Sequence, residues 1–124
     1  MRSLDVAWER AKMLRSWRDW AGRILEASRE VLSSNLRGVY VFGSAATGRL
    51  VAASDIDILI VAENLPRSAR ERSQLRMEIE ERAGLPEAHP FELHLADPKE
   101  AEIYFRHIDK FIKLYEKWNI KRIG

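Results

Sequence analysis

The stretch Val39–Ala62, VYVFGSAATGRLVAASDIDILIVA, decides how the rest of the chain is read. It predicts a strand that ends at Gly43-Ser44, a turn with a short helix or loop, and a second strand that opens on Asp55 and Asp57. Side chains alternate along a strand, so the two aspartates are expected on one face and Ile56 and Ile58 on the other, toward a core. Leu59, Ile60 and Val61 continue as an unbroken apolar run, the pattern of a strand covered on both sides. Two carboxylates on one face repel each other, and partial burial worsens the repulsion. A divalent cation removes that cost. Hard oxygen ligands suit Mg²⁺ or Mn²⁺, which are commonly held by one or two carboxylates together with substrate phosphates. Gly43 lets an anion approach the backbone, Ser44 adds a hydroxyl, and a helix start beside them would attract a phosphate. Arg49 is placed to meet a triphosphate or to be simply solvated on the surface.

Outward from this stretch, the flanks predict the frame. Leu4 to about Ser33 reads as one long helix, with Val6, Met13, Trp17, Trp20, Ile24, Ala27 and Val31 on an apolar stripe that packs on a sheet. Trp8 falls off that stripe and stands as a loosely packed side chain or part of a partner surface. Leu36–Phe42 is the first strand. Ser68 and Glu71 are placed as a capping box for a helix running to about Ala83. Phe91–Ala96 alternates cleanly, with Phe91, Leu93 and Leu95 on one face and Glu92, His94 and Ala96 on the other. Asp97, Pro98 and Glu100 then open a last helix, expected to reach about Trp118. Ala101, Tyr104, Ile108, Phe111, Tyr115 and Trp118 form its stripe, and Ile103, Phe105, Ile112 and Leu114 widen it, so this helix is either deeply buried or at an interface, and the small size of the domain favours the interface. The whole is an α/β (α+β) domain spanning 1–124, with a small mixed sheet of three to four strands flanked by helices.

Composition narrows the function classes. With 124 residues, 46% of them apolar and 32% charged, the chain belongs with soluble globular proteins. Its 21 basic and 19 acidic side chains leave a formal charge of +2, and they are interspersed, so no basic stripe argues for nucleic acid. No cysteine is present, which excludes disulfides and thiolate metal sites and fits a cytoplasmic location. No long apolar run calls for a membrane. No H-x-x-H or H-E-x-x-H pattern points to zinc.

A phosphoryl-transfer site built on two cations needs a third carboxylate to bridge them, and Glu92 is the candidate, on a strand and facing away from the core. His94 shares that face and is placed to touch substrate or aid proton transfer, or to be merely hydrogen-bonded. His89 and His107 lack partner spacing and read as structural.

Gly43-Ser44, ten intervening residues, then Asp55-Ile56-Asp57 resembles the signature of nucleotidyltransferases of the DNA polymerase beta superfamily. The short chain resembles the minimal branch of that superfamily, whose members pair with helical HEPN proteins as toxin–antitoxin systems. The resemblance implies a nucleotidyltransferase fold with Asp55, Asp57 and Glu92 as catalytic metal ligands and Gly43, Ser44 and Arg49 at the nucleotide. It implies Mg²⁺ or Mn²⁺, ATP as substrate, and transfer of AMP to a hydroxyl on a HEPN toxin, as in a type VII toxin–antitoxin pair. Two other readings stay open: a non-catalytic subunit that neutralises its partner by contact, and transfer to a small molecule such as an aminoglycoside. The last is less favoured, because the sites and their supporting elements already use nearly the whole chain. Self-association is open as well.

Overall fold

The computed structural model describes residues 2–51 and 54–118. Its elements are helices α1 (Arg2–Arg15) and α2 (Trp17–Leu32), strand β1 (Leu36–Phe42), helix α3 (Ser44–Thr47), strand β2 (Ile56–Ala62), helix α4 (Ala69–Arg82), strand β3 (Phe91–Ala96), helix α5 (Pro98–His107) and strand β4 (Ile112–Glu116). The strands form one mixed sheet in the order β3-β2-β1-β4. β1 runs antiparallel to β2 and to β4, whereas β2 and β3 are parallel.

Alternation along the strands divides the sheet into two chemically different faces. Val39 and Val41, Ile56, Ile58 and Ile60, and Phe91, Leu93 and Leu95 join the larger core, with Met13, Leu14, Trp17, Ala21, Ile24 and Ala27 from the first two helices and Ile79 from α4. The opposite face carries Tyr40, Leu59, Val61 and Ala96, which pack with Ala101, Tyr104 and Phe105 of α5 and with Phe111 and Trp118. On that second face the same strands also carry Asp57, Glu92 and His94. The face is thus half apolar and half polar, and α5 covers the apolar half. Asp97 fixes where α5 starts: its side chain accepts from the Glu100 N–H at 2.8 Å, the Glu100 carboxylate accepts from the Asp97 N–H at 3.0 Å, and Pro98 takes the first helical position. At α4 Ser68 accepts from the Glu71 N–H at 3.1 Å.

Two expectations are corrected. The N-terminal helix is two helices, divided at Ser16. The Ser16 hydroxyl donates back to the Lys12 carbonyl at 3.0 Å, a local bond that competes with the helical ladder. The division falls between Leu14 and Trp17, both buried, so the stripe is kept across it.

The last helix ends at His107, and the segment expected to continue it returns as strand β4 beside β1. β1 is buried on both faces, so its outer row of N–H and C=O groups needs a partner, and β4 supplies it. Apolar residues between Ile103 and Trp118 fall on more than one helical face and also alternate in places, which leaves the period ambiguous between helix and strand there. Side chains expected at an interface also pack within the chain. Tyr104, Phe105, Phe111 and Trp118 are spent on the chain's own second core, and Ile103 is the large apolar side chain of α5 left exposed.

The β4 return ties into the centre of the sheet through Tyr40. Its fully buried hydroxyl donates to Glu116 Oε2 at 2.6 Å and accepts from Trp118 Nε1 at 3.2 Å. Removing that hydroxyl in Tyr40→Phe is expected to cost about 1–2 kcal/mol in urea unfolding, because one of the two bonds involves a charged partner. An unchanged unfolding midpoint would mean that β4 is not held this way.

Candidate active site

The parallel register between β2 and β3 sets Asp57 directly opposite Glu92, and Leu59 opposite His94. The polar half of the second face therefore gathers Asp57, Glu92 and His94. One ligand atom from each lies within 4.8 Å of the others. His94 Nε2–H donates to Asp57 Oδ1 at 3.0 Å and stands 4.0 Å from Glu92 Oε1. Asp57 and His94 are half-buried, and Glu92 is the exposed member. His94 is flanked by the Phe42 ring, with centroids 5.2 Å apart, and by the Tyr104 ring at 5.8 Å. The Tyr104 hydroxyl is 3.5 Å from His94 Nδ1. Burial, then the Glu100 and Glu92 carboxylates, raise the Tyr104 pKa above the ordinary phenol value against a smaller opposing effect of Arg76, so the hydroxyl keeps its proton throughout the neutral range.

Asp55 does not join this cluster. It lies one residue before β2, where strand alternation no longer sets its direction. Its carboxylate takes an ion pair from Arg10 of α1 at 2.9 Å and is 61% exposed. The same guanidinium donates to the Ser54 carbonyl. Ser54 braces the approach to β2: its hydroxyl accepts from the Val51 N–H at 2.9 Å, and its own N–H donates to the Val51 carbonyl at 2.9 Å.

Gly43 follows β1 and opens α3 at φ +77°, in the left-handed region. A Cβ there would come within 2.5 Å of Asp57 Oδ2. Its missing side chain is thus required by the carboxylate as well as by any phosphate. Ser44 begins α3, and the Gly43 carbonyl accepts from the N–H groups of Ala46 and Thr47 at 3.1 and 3.3 Å. A cleft of about 610 Å³ is lined by Phe42, Gly43, Ser44, Thr47, Arg49 and Asp57 together with His107, Ile108, Asp109 and Lys110. A second cleft, of about 340 Å³, opens at the β3 edge beside Glu92, His94, Tyr104, Arg76 and Glu80. The acidic cluster has residues in both clefts. A larger cleft, of about 830 Å³, lies among Glu63–Arg67, Arg72 and Asp97–Glu100 and holds none of these residues.

Four participants escape sequence reading. Arg10 is distant in sequence and on a helix read only as core-packing. His107 and Lys110 reach the cleft because α5 ends at His107, a stop concealed by the apolar pattern that follows. Tyr104 reads as one more member of a hydrophobic stripe. That Arg49 and Lys110 line the same cleft, although far apart in sequence, is a product of the fold.

Gly43→Ala combines a left-handed backbone with a clash at Asp57. It is expected to lower stability by about 1–2 kcal/mol, from the backbone term alone, and to displace Asp57. Chemical unfolding and Mn²⁺ titration of the variant check the two effects. A variant as stable as the parent, with unaltered Mn²⁺ binding, would show that the carboxylate does not rest on Gly43.

The sequence matches the profile of the family described as Polymerase beta, Nucleotidyltransferase over residues 26–118, which takes in every strand and the whole acidic cluster. Among solved structures, a protein from Sulfolobus solfataricus assigned as a nucleotidyltransferase is 25% identical, with 90% of this chain and 88% of that one covered and a TM-score of 0.52. A chain from a toxin–antitoxin structure with AMP-PNP is 19% identical over 78% of this chain and 73% of its own, at a TM-score of 0.54. Spectinomycin adenyltransferase AAD(9) from Enterococcus faecialis, solved with ATP and spectinomycin, is 18% identical over 81% of this chain and 56% of its own, at 0.57. The last two likenesses concern the fold. No curated protein sequence matches the chain. With its profile match covering most of the residues and the sheet built around the matched strands, this chain belongs to the polymerase beta nucleotidyltransferase family.

Proposed function

We infer that the chain transfers AMP from ATP to a hydroxyl acceptor, and that the acceptor is a helical HEPN-type partner protein which the transfer silences, as in a type VII toxin–antitoxin pair. The observation that carries the catalytic part is the pairing of Asp57 with Glu92 across β2 and β3, beside the Gly43-Ser44 turn. The donor set fits divalent cations: two carboxylates from adjacent strands, with an imidazole within reach. Asp57 and Glu92 would hold such ions, with Asp55 joining them once its pair with Arg10 opens. Bound there, Mg²⁺ or Mn²⁺ neutralises phosphate charge and favours the ionised acceptor.

The protein's own residues do the rest by position and charge. The triphosphate lies in the cleft between Ser44 and Lys110, where Arg49 and Lys110 supply cationic partners. The acceptor hydroxyl enters from the β3 edge, on the side of Glu92. Its oxygen bonds to the α-phosphorus while the bond to the bridging oxygen of the β-phosphate breaks. Glu92 takes the hydroxyl proton, and pyrophosphate leaves past Arg49 and Lys110.

The partner reading is supported by the likeness of the Gly43–Asp57 motif to minimal nucleotidyltransferases and by a fold shared with a toxin–antitoxin component. With most of the apolar side chains of α5 and β4 used internally, Leu4, Val6 and Trp8 of α1 are the exposed apolar residues grouped on one element.

The test is incubation with α-labelled ATP, Mg²⁺ and a lysate of the source cells. Label on a helical protein that co-purifies with this chain is expected. Asp57→Asn and Glu92→Gln are each expected to lower labelling by roughly 10³-fold, the scale of losing a charge-stabilising group at a transition state. Silencing that survives both substitutions would favour the contact-only subunit, and label found on a small molecule would replace the partner by a soluble acceptor.

A further inference from the structure

We propose that His94 is a direct cation ligand, and that its imidazole makes the Asp57–Glu92 site select a first-row transition dication over Mg²⁺. The proposal rests on the reading that this cluster binds a divalent ion, and it adds the residue that determines which ion.

Three observations carry it. First, the separations fit one ion. Octahedral ligands about 2.1 Å from a cation stand about 3.0 Å apart when adjacent and about 4.2 Å apart when opposite. His94 Nε2 is 3.0 Å from Asp57 Oδ1 and 4.0 Å from Glu92 Oε1, close to an adjacent and an opposite spacing, and one ligand atom of each residue lies within 4.8 Å of the others, so small side-chain shifts bring the three onto one ion. Second, the imidazole has the outer partner that a ligating histidine uses. A metal-bound histidine directs its second ring nitrogen to a hydrogen-bonding group that sets its tautomer. Here that group is the Tyr104 hydroxyl, 3.5 Å from Nδ1. A hydroxyl both donates and accepts. With Nε2–H bonded to Asp57, Tyr104 donates to Nδ1. With Nε2 turned over to a cation, Nδ1 carries the proton and donates to Tyr104. Third, the Phe42 and Tyr104 rings flank the imidazole on its strand, so little ordering remains to be lost on binding.

The chemical consequence concerns selectivity. Carboxylates alone suit hard ions such as Mg²⁺, whereas an imidazole nitrogen favours first-row transition ions. Replacing one of three oxygen donors by nitrogen tilts the site toward Mn²⁺ and the ions beyond it in the affinity series.

The experiment uses the full chain with Mn²⁺ alone as probe, read by electron spin-echo envelope modulation, which detects a nitrogen nucleus bound to the ion. Modulation from a bound imidazole nitrogen is expected in the parent protein. It is expected to persist in the double variant His89→Gln/His107→Gln, which leaves His94 as the one imidazole of the chain, and to vanish in His94→Asn. In parallel, Mn²⁺ affinity relative to Mg²⁺, measured by competition, is expected to fall about tenfold or more in His94→Asn. Should His94→Asn not fold, as judged by its amide hydrogen exchange, the spectrum of the double variant decides alone. Bound Mn²⁺ without nitrogen modulation in that double variant overturns the proposal, as does an unchanged Mn²⁺/Mg²⁺ ratio in a folded His94→Asn. The readout does not require turnover: nitrogen modulation in a protein that transfers no nucleotide keeps this ligand and removes the catalytic reading, whereas transfer with a nitrogen-free Mn²⁺ site does the reverse.

Discussion

The parallel pairing of β2 with β3 is the constraint on which the rest depends. It sets Asp57 opposite Glu92 and, on the same face, brings His94 alongside. A slip of one residue would turn the carboxylates into the aliphatic core and the isoleucines toward solvent, so the hydrophobic pattern of β2 enforces the site's geometry. Ile56, Ile58 and Ile60 are fully buried, which makes such a slip costly. The stability of the sheet and the geometry of the acidic cluster are therefore one property.

A half-covered second face follows from that pairing. Leu59, Val61 and Ala96 require a lid, and α5 with Phe111 and Trp118 provides it. Asp57, Glu92 and His94 require access to solvent and receive it because the lid does not extend over them. Tyr104 sits at the boundary: its ring packs against Phe42, while its hydroxyl faces His94. The boundary between core and site is thus drawn by one amphipathic side chain, whose apolar body belongs to one and whose polar tip to the other.

The first two helices have a similar double attachment. α2 packs on the aliphatic face, where Ala21 and Ile24 are fully buried. α1 precedes the family-matched segment and reaches back to the start of β2, where Arg10 holds both the Ser54 carbonyl and the Asp55 carboxylate. The ion pair is open to solvent on the Asp55 side, so it is weak by the measure of exposed pairs. Its effect is directional: it ties one of the two motif aspartates to α1.

Much was legible in the sequence, wherever a period-2 pattern met a boundary signal. The strands β1, β2 and β3, the Gly43-Ser44 turn, the cap at Asp97 and the shared face of Glu92 and His94 follow from alternation and from capping chemistry, both of which act within a few residues. The family motif around Asp55 and Asp57 was legible for the same reason. Tertiary structure alone decided what depends on contacts across the chain. The segment after His107 became a strand because β1 had an unpaired buried edge, a demand that no local pattern in Ile112–Glu116 announces. Asp55 is tied to α1 because the fold brings a guanidinium 45 residues away to within 2.9 Å of it. His94 came to the carboxylates, and Lys110 came to line the same cleft as Arg49, because strand order and helix length set distances between residues far apart in sequence. Local propensities write the elements; the pairing of edges and charges between those elements assembles the site.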